Sequence, residues 1–373
     1  MGNLEHEKRG IADPLNLPVE LAQVCVARLG PVASIGERLL ERLTSTNHYL
    51  ISLLRVLDEN DLEASYLLDK AGLEGALLLE PNQRVNTKKL ADFVWLVANE
   101  LQDETLGQGA LPSRPGTFFT IGELAVHQPN LLDAFKRGIR FHHQVTEDYT
   151  LELLVDGQTA TFVVNQPRLD LDPSHLLTEL ILLAWHRLCS WLIGDNINLS
   201  SVTFVYPPPP HEDEYKYLFR CPRKFNQTIT GFSFRAAYLE KPVMQDIGKL
   251  KTFMRNCPFN LFMYPHSDSS AATRVQRLMQ KNIDKGVLSL AEISQELGMS
   301  NRTLRRKLTK EGTSFQAIKD TIRRDMAIYY LVQKSLSVNE IACQLGFSEP
   351  GVFVRAFKKW TGSTPGVYKK HSA

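Results

Sequence analysis

In the stretch LGFSEPGVFVRAFKKWTG (residues 345–362), apolar side chains fall at Phe353, Ala356 and Phe357, the three-to-four spacing of one helix face. Pro350 and Gly351 sit at its front edge. The conflict resolves if Ser348 is the N-cap and Glu349 and Pro350 fill the first turn, where N–H groups lack intrahelical partners anyway. The pattern then predicts a helix to about Trp360. With Phe353 and Phe357 inward, a step of about 100° per residue turns Gly351, Val354, Arg355 and Lys358 outward. A short basic helix behind a Leu-Gly-Phe turn suits DNA.

This stretch has an earlier copy. SLAEISQELGMS (289–300) aligns without a gap on SVNEIACQLGFS (337–348), with Ser, Glu, Ile, Gly and Ser in register and Leu297 matching Leu345. Past the turn the copies slip by one residue, so Leu304 and Leu308 correspond to Phe353 and Phe357. Each copy predicts a short helix, a glycine turn and a second helix, which is helix-turn-helix geometry. Inward Leu304 and Leu308 leave Arg302, Arg305, Arg306 and Thr309 on the open face. One such hairpin is common; two in register, each with a basic outer face, are a far stronger signal. Between them, SFQAIKDTIRRDMAIYYLVQKS (314–335) carries Phe315, Ile318, Ile322, Met326 and Tyr329 or Tyr330 along one side and predicts a long helix. About 20 residues at ~1.5 Å each give a rod of roughly 30 Å, against about 34 Å between successive major grooves on one DNA face. One chain can then read two groove segments without dimerising.

Ahead of residue 265 the pattern is mixed. Helices are expected at 19–29, 33–43, 61–71, 87–101, 119–126, 130–143, 174–193 and 212–219. Asp156-Gly157 between YTLELLV and QTATFVV predicts a β-hairpin, and SVTFVY (201–206) and GFSFRAAY (231–238) predict further strands. Pro207–Pro210 reads as a stiff connector. YPHSDSSAAT (264–273) is small and polar, as a linker is. The expected organisation is an α+β N-terminal domain over 1–265 and a linker over 266–273. An all-α C-terminal domain follows over 274–373, with helix-turn-helix units at about 289–310 and 337–360 joined by a long helix.

Composition narrows the class. The 373 residues, 43% of them apolar, support two or three domains with real cores. Cys25, Cys189, Cys221, Cys257 and Cys343 are scattered without a C-x-x-C pair, which argues against a disulfide framework or a zinc knuckle. MGNLEHEKRGIADP has no apolar centre, so no signal peptide is expected. LLTELILLAWHRLCSWLIG is interrupted by Glu179, His186 and Arg187 and reads as a buried helix, not a membrane span. A cytoplasmic protein is expected. Its net charge of +2 hides an asymmetry: residues 271–373 hold 18 Lys/Arg and 8 Asp/Glu, the remainder 25 and 33. A basic tail on an acidic body is the footprint of a polyanion binder.

The repeat and its ending, SEPGVFVRAFKKWTGSTPGVYKK, closely resemble the AraC/XylS family of bacterial transcription regulators. The resemblance implies two helix-turn-helix units on a long helix, binding double-stranded promoter DNA beside RNA polymerase. Asn301, Arg302, Arg305, Arg306 and Thr309 on one helix, and Glu349, Pro350, Val354, Arg355, Lys358 and Lys359 on the other, become the candidate DNA contacts. Gly351 stands where many relatives carry serine, so weaker base reading is expected from the second helix. The order SRPGTFFTIGELAVHQPNLLDAFKRGIRFHH…YTLELLVDG…LFRCPRKFNQ resembles the arabinose-binding-type N-terminal domain over most of residues 25–240. That implies an effector-sensing domain, not a catalytic one, without making arabinose the ligand. A homodimer is compatible with this reading.

Arg114 in SRPGTF is the candidate anchor for an anionic effector group, against a purely structural arginine. Phe118, His142, Leu182 and Trp185 complete the candidate effector set; a stripe of Leu182, Trp185 and Trp191 is either core or the wall of an apolar pocket. Adjacent His142 and His143 point about 100° apart on a helix and do not easily share a metal. HEDE (211–214) reads as a solvated helix start with acids at its positive end. No metal and no cofactor are expected. No G-x-S-x-G, P-loop, G-x-G-x-x-G or H-E-x-x-H pattern supports an enzyme. Cys257-Pro258 reverses the Pro-Cys-His order of DNA-repair methyltransferases fused to such tails. Cys221 between Arg220 and Arg223 reads as a structural cysteine. The expectation is a regulator answering to an amphipathic or acidic effector. Its rival is a constitutive repressor or architectural DNA-binding protein, with an enzyme carrying a DNA-binding tail a distant third.

Overall fold

The structure, a computed structural model, describes residues 43–73, 84–166, 168–263, 270–282, 287–332 and 336–371. The helices expected at 19–29 and, but for its last residue, at 33–43 lie outside these. From Glu41 onward the chain forms one unit with two hydrophobic cores, one built from residues up to Phe262 and one from Ala271 on.

The first core is a five-stranded sheet with helices against it. The strands are β3 (Thr150–Asp156), β4 (Thr159–Asn165), β5 (Leu199–Thr203), β6 (Arg223–Lys224) and β7 (Thr230–Arg235), in the order β3-β4-β7-β5-β6. All pairs are antiparallel except β5–β6. Gly157, at φ +54°, makes the expected β3–β4 turn. Strand alternation puts Ala160, Phe162 and Val164 of β4, and Phe232 and Phe234 of β7, into the core. Gly231 is required by close approach, because a Cβ there would lie 2.3 Å from the Phe162 carbonyl oxygen.

Helix α6 (Leu176–Leu192) is buried almost all round, as its lack of a polar face foretells. Trp185 stacks on Phe135 of α5 (Leu131–Val145) at 5.7 Å and on Phe162 at 5.0 Å, so the aromatic stripe is core. Other expected helices appear as α2 (Ala64–Ala71), α3 (Thr87–Leu101), α4 (Thr117–Val126) and α7 (Glu212–Leu218). Pro207–Pro210 lies outside the strands and delivers the chain to α7.

Several elements lacked a distinct sequence pattern. They are α1 (His48–Glu59), the two-stranded pair β1 (Thr44–Thr46) and β2 (Arg84–Asn86), β6, α8 (Ile247–Arg255) and α9 (Phe259–Phe262). The C-terminal core contains α10 (Ala271–Lys281), α11 (Leu290–Glu296), α12 (Asn301–Lys310), α13 (Phe315–Val332), α14 (Val338–Gln344), α15 (Pro350–Thr361) and α16 (Pro365–His371). Because α10 starts at Ala271, capped by Ser270, the last three residues of the expected linker are helical. Among the described residues no helix is long and apolar enough to cross a membrane.

Candidate DNA-binding surface and its attachment to the N-terminal domain

The duplicated sequence folds into duplicated geometry. Ser289 and Glu292 close a capping box at α11, and Ser337 and Glu340 close the same box at α14. Each first helix ends on a left-handed glycine, Gly298 at φ +64° and Gly346 at +67°. In both, the residue after the glycine donates back five residues: Met299 N to Ser294 O and Phe347 N to Ala342 O, each at 2.9 Å. The second helices then differ. Ser300 caps α12, accepting from Thr303 N at 3.1 Å. At α15 the N-cap is Glu349, not Ser348, with Pro350 as first helical residue and no side-chain cap. Proline's fixed φ, suited to the first turn, sets the start one residue later. That shift is the one-residue slip in the alignment.

Leu304 and Leu308 of α12, and Phe353 and Phe357 of α15, are fully buried. Opposite them Asn301, Arg302, Arg305 and Arg306 are exposed, as are Glu349, Pro350, Gly351, Arg355 and Lys358. Val354 is half-buried. Thr309 and Lys359, although exposed, line a cleft of about 800 Å³ that Asp213, Lys216 and Tyr217 of α7 close from the other side. The outward set on α12 therefore reduces to three arginines and an asparagine, and that on α15 to Arg355 and Lys358 beside a bare glycine. Arginine can take a guanine edge with two hydrogen bonds, worth about 1–3 kcal/mol of discrimination. Alanine at Arg302 or Arg305 should relax preference at particular base pairs, whereas alanine at Lys358 should weaken all sequences alike. Base-by-base binding profiles of the variants read this directly; the reverse assignment would invert the roles of the two helices.

The helix between the units, α13, is held by the N-terminal domain. Arg84 of β2 reaches Glu214 of α7 at 2.6 Å and 3.2 Å, both side chains being 6% exposed. The Arg84 backbone N–H donates to Tyr368 Oη, and Tyr368 Oη donates to the Arg84 carbonyl, both at 3.1 Å. Thr44 Oγ1 accepts from Arg84 Nε at 2.9 Å and donates to Asp325 of α13 at 2.8 Å. Arg324 pairs with Asp325 at 2.9 Å and lies over the Tyr217 ring at 4.3 Å. Pairing offsets much of the cost of burying these ions, although Arg324 Nη1 is left without a hydrogen-bond partner. The network ties β1, β2 and α7 to the rod between the recognition units.

A second cleft, of about 500 Å³, opens between the same two domains. Arg235, Tyr238 and Lys241 line it on one side, and Met299, Lys307 and Lys310 on the other. Lys241 is paired with Asp195 at 2.6 Å. Glu311, also on this wall, accepts from the Ala271 and Ala272 N–H groups at 2.8 Å.

None of the sequence-derived effector residues lines either cleft. Arg114 is exposed, Phe118 is half-buried, and Leu182 and Trp185 belong to the packed core. His142 hydrogen-bonds the Tyr149 carbonyl at 3.0 Å, while the neighbouring His143 accepts from Leu151 N at 3.1 Å. Burial pushes the His142 imidazole down to about 4. An unfolded chain takes that proton near 6.5, so between these values the unfolded state binds more protons. The stability His142 contributes is therefore complete above pH ~6.5 and lost as pH falls toward ~4. His142→Gln should flatten the acid side of the stability curve by on the order of 2 kcal/mol, measured by urea unfolding at pH 4.5 and 7.

Burial pushes the Cys221 thiol up to about 12, which outweighs Arg223 and makes it a poor nucleophile. HEDE is not the solvated helix start that its sequence suggests. Glu214 is buried against Arg84, and His211 Nε2 lies 2.9 Å from Glu179, a carboxylate with no exposure at all.

Two helix-turn-helix units, fused on one rod and attached to a sheet domain without a catalytic pattern, define a DNA-binding transcription regulator. The family model described as the arabinose-binding domain of AraC transcription regulators matches residues 62–243, and a helix-turn-helix domain model matches residues 293–371. The ornithine utilization regulator of Pseudomonas aeruginosa is 29% identical over 86% of this chain and 95% of its own length. The transcriptional regulator VirS of Mycobacterium tuberculosis is 29% identical over 42% of this chain and 46% of its own. Among solved structures, the transcriptional regulator CdpR from Pseudomonas aeruginosa is 19% identical, with 92% of this chain and all of that chain covered at a TM-score of 0.31. The chain belongs to the AraC family of transcription regulators with an arabinose-binding-type N-terminal domain. Its relatives are regulators, not enzymes.

Proposed function

We propose that this protein acts in the cytoplasm on promoter DNA, beside RNA polymerase, and that a small molecule bound to its N-terminal domain sets its output. The observation that carries the control is the buried network from Arg84 to Glu214, Asp325 and Tyr368. Because it grips α13, a ligand that shifts the N-terminal domain also shifts the rod carrying both recognition helices. A ligand acts only through unequal affinity for two states. Two recognition units on one rod let a monomer suffice.

The effector in this reading is acidic with an apolar body. Supporting it, Arg235, Lys307 and Lys310 face the 500 Å³ cleft without acidic partners among the described ion pairs, beside Tyr238, Ala237 and Met299. A carboxylate there bridges the two domains. The buried Arg187 is no equivalent, because it donates to the Leu218 carbonyl at 2.7 Å and the Leu261 carbonyl at 3.2 Å. The name of the ornithine utilization regulator places amino acids among the compounds to test.

A thermal-shift screen of carboxylic acids, amino acids and sugars on the full chain tests this. At a hundredfold excess over Kd the true ligand stabilises by about 2.7 kcal/mol. The shift should depend on concentration, weaken in Arg235→Gln, and be matched by a change in a promoter reporter. No shift from any class, with constant reporter output, would leave a constitutive DNA-binding protein. A shift with sugars alone would discard the acid.

A further inference from the structure

The geometry points to a transition-metal site of the zinc class at His48, Glu179 and His211, a role distinct from the DNA contacts and the effector cleft and independent of both. The three residues come from separate parts of the chain. His48 opens α1, Glu179 lies in the first turn of α6, and His211 is the residue before α7, delivered by the proline run. Their ligand atoms all lie within 4.8 Å of one another.

Distances and donor types agree with a tetrahedral ion. Bonds of about 2.0–2.1 Å to imidazole nitrogen and carboxylate oxygen give a tetrahedral edge of about 3.3 Å. The closest approaches, 2.9 Å from His211 Nε2 to Glu179 Oε1 and 3.6 Å from His48 Nε2 to the other oxygen, Oε2, lie on either side of that value, so a small turn of the carboxylate lets one oxygen serve both imidazoles. The His48 and His211 rings stack 3.4 Å apart at 9°, so one imidazole turns about its Cβ–Cγ bond to bring both in-plane lone pairs onto one ion. Two histidines and a glutamate are a zinc donor set that leaves one position for water or another ligand.

A plain buried Glu–His pair does not account for His48. Both of its ring nitrogens are buried without a hydrogen-bond partner, a condition that native structures avoid. A metal bond at Nε2 satisfies one of them. Glu179 is already oriented from outside: Tyr49 Oη donates to Oε2 at 2.6 Å and Tyr215 Oη to Oε1 at 2.5 Å, as partners of ligating carboxylates do. The His211 and His48 side chains are 11% and 14% exposed while Glu179 is sealed, so an ion enters from the imidazole side. On binding, the hydrogen that His211 Nε2 shares with Glu179 is carried by Nδ1 instead, which frees the Nε2 lone pair for the ion.

The test is titration of the full-length protein, prepared without a polyhistidine tag and stripped with chelator, with Co²⁺ alone and with Zn²⁺ alone. Expected are one equivalent bound and a cobalt absorption spectrum of four-coordinate nitrogen and oxygen ligation. His48→Gln, at the partly open edge, should lower affinity at least about tenfold, judged by the scale of losses at metal sites. Circular dichroism of the metal-free variant checks that it is folded. Failure of the wild-type protein to bind either ion stoichiometrically overturns the site, whatever the variants do. Binding equally tight in folded His48→Gln and His211→Gln places the ion elsewhere and overturns it too.

Discussion

Phe357→Ala is expected to abolish DNA binding at growth temperature while leaving the N-terminal domain folded. Phe357 is fully buried, and its ring meets Phe353 at 5.7 Å and Tyr368 edge-on at 5.4 Å. Truncating a buried phenylalanine costs about 3–5 kcal/mol, through lost transfer energy and the cavity left behind. Marginal stabilities of about 5–15 kcal/mol make that a large fraction for a core of this size. The damage stays on one side because the two hydrophobic cores are separate clusters. Calorimetry should show one transition displaced downward and the other retained. A uniform shift of a single transition would mean that the cores unfold together.

Arg84→Met is the second large effect, and it bears on coupling. The change leaves Glu214, 6% exposed, without its partner. Removing one member of a buried pair costs about 3–5 kcal/mol, because the remaining charge stays desolvated. Adding Glu214→Leu should recover much of the loss, since an apolar pair of similar volume is often neutral or better. Denaturant unfolding of the two single variants and the double variant closes the cycle. Hydrogen exchange should show α13 loosened in Arg84→Met. If the single change is neutral, the network does not hold the rod.

Much of the C-terminal half was legible in the sequence because its signals are local. Ser-x-x-Glu before an apolar run is a capping box, Leu-Gly is the turn, and the apolar spacing selects the inward face. The α3 boundaries and the β3–β4 hairpin were readable for the same reason: Asn86 caps one, and Asp156-Gly157 turns the other. Ser348 was misplaced as a cap because serine and proline both signal a helix start, and here proline prevailed. The exposure of Arg114 and the burial of Trp185 follow from packing that no spacing encodes.

The network around Arg84 joins residues up to 284 positions apart, and the His48–Glu179–His211 cluster spans three helix starts. Neither leaves a local trace. The short strand β2 that carries Arg84 alternates over only three residues, too few to stand out from a loop. HEDE shows the limit in one motif. Its acids do sit in the first turn of α7, where the helix dipole favours them. Yet His211 and Glu214 are inside the protein.

The central claim is that α12 and α15 read two neighbouring groove segments from one chain. With 18 residues in α13, the rod between them is about 27 Å long at ~1.5 Å per residue. Hydroxyl-radical and methylation footprinting of the full-length protein on its own promoter measures this directly. The account predicts two protected major-groove segments on one face of the duplex, one helical turn or about 10 base pairs apart, with Arg305→Ala erasing one and Arg355→Ala thinning the other. A single protected segment, or two variants that erase the same bases, would contradict it.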